Sequence, residues 1–99
     1  MLNIIKNSNG SDLKFILEGR LDTTTAPQLE AELNNSISGV TALKFDFEKL
    51  DYISSAGLRV LLSSQKTMNK QGTMVISNVS PEVKEIFDVT GFSDILTIQ

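Results

Sequence analysis

An α/β fold, one domain with a mixed, mostly parallel sheet, is predicted by three observations. Short runs alternate apolar and polar residues at period two. Between them lie stretches whose apolar residues recur at helical spacing, and after an opening pair of strand-like runs the two kinds of segment take turns. The 99 residues suit one domain over 1–99.

Leu2 to Lys6 and Asp12 to Glu18 are the opening strand-like runs, separated by Asn7, Ser8, Asn9, Gly10 and Ser11. Those turn-forming residues predict an antiparallel hairpin. In the second run Leu13, Phe15 and Leu17 share one face, which makes it the buried one. A helix is expected from about Ala26 to Ser38. Thr25 and Gln28 have capping-box spacing, Pro27 fits the first turn, and Ala26, Leu29, Leu33 and Ile37 form the stripe. Gly39 is its expected stop.

Ala42 to Phe47 reads as a strand with Leu43, Phe45 and Phe47 inward, followed by a loop from Glu48 to Ile53. Ser54 and Ser55 then open a second helix. Its apolar face carries Leu58, Leu61, Leu62, Gln65 and Met68, and Arg59, Ser63, Lys66 and Lys70 lie opposite. Gly72 suits its end. Thr73 to Asn78 is a further strand, and Ser80, Pro81 and Glu82 supply cap, first-turn proline and an acid for a third helix. Val83, Ile86 and Phe87 form that helix's stripe and Gly91 ends it, while Ile95 to Ile98 reads equally as a short strand or an extended tail. Loops leaving the carboxyl ends of strands form the working edge of such folds. Gly19 to Thr25 and Asp51 to Gly57 are therefore the candidate loops.

Composition narrows the function. With 40% hydrophobic and 21% charged residues the chain is that of a folded protein. Its apolar runs are too short to span a bilayer, so no membrane insertion is expected. Met1 to Lys6 lacks the pattern of a secretory leader. The chain has no cysteine, hence no disulfide or thiolate metal site, and a cytoplasmic location is expected. The net charge of −3 is spread out, without the basic patch that direct nucleic-acid binding requires.

Serine hydrolysis needs a base near the hydroxyl, and the chain has no histidine. No Ser-x-x-Lys accompanies Ser54 or Ser55, and the Gly-x-Ser-x-Gly elbow is missing. Glycine-rich nucleotide cradles are also missing. Asp46 with Glu48, or Asp22 with Asp51, read as solvated charge before they read as a cation site. The expectation is a binding protein, not an enzyme, with no cofactor and no metal. What remains is a hydroxyl on a partner-facing edge. A phosphate on Ser55 would add about −1.5 to −2 charges, tolerated by the helix start and disruptive to a partner. As a plain alternative, Ser54 and Ser55 are only a cap, Gly57 only a packing residue and Arg59 only a solvated charge.

The sequence Gly19-Arg20-Leu21-Asp22, with Thr25-Ala26-Pro27 after it, resembles the loop before the first helix of single-domain STAS proteins acting as anti-sigma factor antagonists. Leu43 to Phe47 and Leu50 to Leu62 resemble that family's strand, phosphorylation loop and second helix, and Gly72, Ser80-Pro81 and Phe87 to Phe92 continue the likeness. The resemblance implies a partner-switching role. Such a protein binds an anti-sigma factor that is also a serine kinase of the GHKL type, is released when phosphorylated, and is restored by a metal-dependent serine phosphatase. It implies Ser55 as the acceptor, with Ser54 as the second candidate. The partner-binding set it implies is Asp22, Thr23, Thr24, Thr25, Ser54, Ser55, Ala56, Gly57 and Arg59. Two departures stand out: Ser54 where many members have aspartate, and Arg59 where many have glycine, which implies a more acidic partner surface. A monomer or weak dimer is expected. A STAS subunit of a lipid-transport complex or signalling scaffold, and a nucleotide-binding protein, are the alternatives.

Overall fold

The alternation in Leu13, Phe15 and Leu17 and in Leu43, Phe45 and Phe47 becomes the two central strands of a four-stranded sheet in the computed structural model, which describes residues 1–99. The sheet order is β1 (Leu2–Asn9), β2 (Asp12–Leu21), β3 (Ala42–Ile53), β4 (Thr73–Ser77). β1 and β2 are antiparallel, and β2, β3 and β4 run parallel. Register places Leu13 beside Leu43 and Phe15 beside Phe45, with Met74 and Ile76 next in line. Phe15, Phe45 and Phe47 are fully buried, and each such burial contributes roughly 1.5–3 kcal/mol. That face is therefore the one the helices cover.

Helices α1 (Ala26–Ser36), α2 (Ser55–Gln71) and α3 (Pro81–Thr90) supply the rest of one core of 23 buried apolar residues. Leu29 and Leu33 enter it from α1, Leu58, Leu61 and Met68 from α2, and Val83 and Phe87 from α3. The alternate sheet positions, Lys14, Ile16, Lys44 and Asp46 among them, are exposed or half-buried on the other face. No helix is long and apolar enough to cross a membrane.

Several boundaries differ from expectation for identifiable reasons. The hairpin strands extend through Asn7, Ser8 and Asn9, because those polar residues are an exposed ladder on the sheet edge; only Gly10 and Ser11 form the turn, with Gly10 at φ 63°. β2 continues past Glu18 to Leu21. Gly19 permits this, with φ 102° and a backbone so close to Met1 that a Cβ would lie 2.2 Å from its carbonyl oxygen. The expected loop from Glu48 to Ile53 is instead the second half of β3. Register shifts between Ile16 and Glu18 and between Gly19 and Arg20 change the inward spacing to Phe47, Leu50 and Ile53, all buried, and so hide the period of two.

α1 ends at Ser36, two residues earlier than expected. Gly72 does not end α2 through a left-handed conformation, since its φ is 173°. A Cβ there would lie 1.9 Å from the Thr41 carbonyl oxygen, so glycine is needed for close approach. The tail is settled too: after a 3-10 turn at Phe92–Asp94, Ile98 forms a single parallel bridge with Ile76.

Candidate functional site

The two candidate loops are neighbours because β2 and β3 are parallel and end together. Leu21 pairs with Ile53, and the Ser54 amide donates to the Leu21 carbonyl at 2.9 Å. One edge thus carries Asp22 to Thr25 beside Ser54 to Arg59.

The first loop is organised by the Asp22 carboxylate. Its Oδ1 accepts from the Thr24 amide at 3.0 Å, the Thr25 amide at 3.1 Å and the Thr24 hydroxyl at 2.8 Å. The Thr24 hydroxyl bond, aided by the two amides and opposed by partial burial, holds the Asp22 pKa below the usual carboxylate range. Buried Thr25 does not build the expected capping box, because its side chain caps no helix amide. Its hydroxyl donates to the Arg20 carbonyl at 2.8 Å and accepts from the Asp22 amide at 2.9 Å. Thr25 therefore ties the loop back onto β2, while Thr23 and Thr24 are left exposed.

The second loop separates its two serines. Ser54 is half-buried and is the N-cap of α2, its Oγ accepting from the Gly57 amide at a long 3.5 Å. Ser55 is the first helical residue and is exposed. Its hydroxyl enters none of the protein's hydrogen bonds. Gly57 is buried, and a Cβ on it would lie 2.7 Å from Leu21 Cγ and 2.9 Å from Ile53 Cγ1. It presents no group to the outside; its contribution is to let α2 start directly against the ends of both strands.

A groove of about 220 Å³ runs between α1 and α2, with Ala26, Pro27, Ala56 and Val60 in its walls and Thr23 alongside. Glu30 lines it from α1 and Arg59 from α2, yet they form no ion pair; the protein's pairs are Arg20–Asp22, Lys49–Glu18 and Lys84–Asp88. Asp46 is committed differently: it accepts from the Glu48 amide and the Asn78 side chain.

Arg20 and Tyr52 fall within the candidate loops, but sequence reasoning gave neither a role. They are register partners on β2 and β3, the Arg20 guanidinium lies 4.5 Å from the Tyr52 ring centroid, and its Nε is 3.7 Å from Asp22 Oδ2. Their juxtaposition depends on the register shift in β3, which no local pattern announces. Glu30 was missed because the groove exists only once α1 and α2 are packed together.

These features define a small α/β domain with two hydroxyl-rich loops joined on one sheet edge and a groove beside them. The chain belongs to the STAS domain family, whose profile matches residues 3–99. It is 40% identical over 84 residues to BtrV of Bordetella bronchiseptica, provisionally named an anti-sigma factor antagonist, covering 83% of this chain and 72% of that one. It is 29% identical over 98 residues to the anti-sigma-B factor antagonist of Bacillus subtilis, covering 98% and 90%. The fold matches the anti-sigma factor antagonist SpoIIAA in its unphosphorylated form, with TM-score 0.78 at 21% identity over 98% of this chain and 87% of that one. The phosphorylated form of the same Bacillus protein matches with TM-score 0.77 at 21% identity, over 98% and 91%.

Proposed function

We propose that this protein is an anti-sigma factor antagonist of a partner-switching pathway. Residues 1–99 act as one STAS unit in the cytoplasm, without catalysis of their own. Unmodified, the unit binds an anti-sigma factor that is also a GHKL-type serine kinase; phosphorylation of Ser55 separates the two, and a serine phosphatase reverses the change. Asp22 to Thr25 and Ser54 to Arg59 form the contact edge, within which Thr25 and Gly57 act from beneath as supports.

The observation that carries this reading is the division of labour between the adjacent serines. Ser54 is spent on the cap, whereas Ser55 is exposed with an uncommitted hydroxyl. A phosphate on Ser55 projects from the first turn of α2 without displacing a buried group, so the fold persists and the edge changes charge by about −1.5 to −2. The names of the relatives support the partner class.

The test uses the kinase recovered with unmodified protein from the source cells. Incubated with it and ATP, the protein is expected to gain one phosphate on Ser55 by mass spectrometry and to lose the complex. Ser55→Ala should bind and stay unmodified, and Ser55→Asp should bind on the order of tenfold or more weakly. A phosphate mapped to Ser54 reassigns the acceptor, and a stable complex with no phosphate on the protein removes the switch.

A further inference from the structure

Arg59 is exposed, lines the groove between α1 and α2, and takes part in no ion pair or hydrogen bond, although Glu30 lines the same groove. It stands four residues after Ser55 on α2, so the two side chains share one helical face, with the position to be made negative on the amino-terminal side, the favourable sense for such a pair. The other cations of α2, Lys66 and Lys70, lie eleven and fifteen positions on, about 16 and 22 Å along the axis. Of the charges on neighbouring elements, Glu30 lines the groove from α1, Asp22 is paired with Arg20, and Arg20 is occupied with Asp22 and Tyr52.

We propose that Arg59 is the intramolecular counter-charge of phosphorylated Ser55: the guanidinium leaves the groove and pairs with the phosphate. One modification then acts twice. It places negative charge on the contact edge and withdraws the positive charge that the groove offers to a partner carboxylate. This rests on the reading of Ser55 as the acceptor.

The experiment installs phosphoserine at position 55 during translation, so that it runs whether or not a kinase modifies that residue, and follows the phosphate by phosphorus NMR against pH. The second phosphate pKa, about 6 in a free phosphoserine, is expected to be lower with Arg59 present than in Arg59→Gln by roughly 0.3 of a pH unit. High salt should shrink the difference. Arg59→Lys should keep part of it, and Lys66→Gln should match the parent. Equal values for the parent and Arg59→Gln, or an equal change from Lys66→Gln, would overturn the proposal. A kinase reaction that places its phosphate elsewhere defeats the acceptor reading instead, and the two failures are distinguished by which experiment records them.

Discussion

The starts of α2 and α3 use the same cap and serve it differently. Both N-caps are serines in extended conformation, Ser54 at φ −98° and Ser80 at φ −67°. At α3 the Ser80 hydroxyl accepts from the Val83 amide at 3.2 Å, Pro81 fills the first turn, and Glu82 meets the positive end of the helix dipole. At α2 the cap bond is 3.5 Å, the first turn holds no acid, and the residue after the cap is the uncommitted Ser55. α3 is anchored by its cap chemistry. α2 is anchored by packing and backbone, through Gly57 on Leu21 and Ile53 and the Ser54 amide on the Leu21 carbonyl, and this leaves the Ser55 side chain exposed and uncommitted.

The strongest way to break this contrast is Gly57→Ala. Helix propensity alone favours alanine by about 1 kcal/mol. Packing opposes it, because the new Cβ meets Leu21 and Ile53, which are 0% and 1% exposed and have nowhere to retreat; overpacking of this kind costs about 1–3 kcal/mol. A net loss of stability in urea unfolding is expected, and a gain would mean that α2 is not seated as described. Next in size is the pair of cap deletions. Ser80→Ala should cost about 1 kcal/mol and Ser54→Ala only a few tenths. Equal losses would dissolve the difference between the two starts.

The same contrast marks what the sequence disclosed. Ser80, Pro81 and Glu82 are local signals, and the helix they announce begins where they place it. The inward faces of β2 and of the first half of β3 were equally plain, since a regular pleat keeps the period of two. The second half of β3 was hidden by its register shifts, which also concealed the stacking of Arg20 on Tyr52. Both candidate loops were visible as hydroxyl-rich ends of strand-like runs. Their hydrogen-bonded contact depended on parallel pairing, a relation between segments thirty residues apart. Gly57 and Gly72 show the same limit: a glycine needed for close approach looks in the sequence like any other glycine.

α1 supplies a third kind of helix start and the smallest effect. Its cap residue Thr25 makes no side-chain cap bond, and the amides of Thr24 and Thr25 are met by Asp22 Oδ1. That carboxylate has a folded-state pKa below its ordinary value, first because of the Thr24 hydroxyl and then the amides. A depressed carboxylate pKa stabilises the fold above the unfolded-state value of about 3.9 and loses that contribution as pH falls through the folded-state value. Stability of the parent should therefore fall on acidification below about pH 4, more steeply than that of Asp22→Asn, which has no proton to take up. Thr24→Ala, which removes the largest cause of the depression, should fall in between. Thermal unfolding of the three proteins from pH 6 down to acid measures the slopes, with Asp88, depressed by Lys84 and Ser93, contributing equally to all. If Asp22→Asn retains the parent's slope, the charge on Asp22 does not organise this loop, and the start of α1 is held by the Thr25 bond to the Arg20 carbonyl instead.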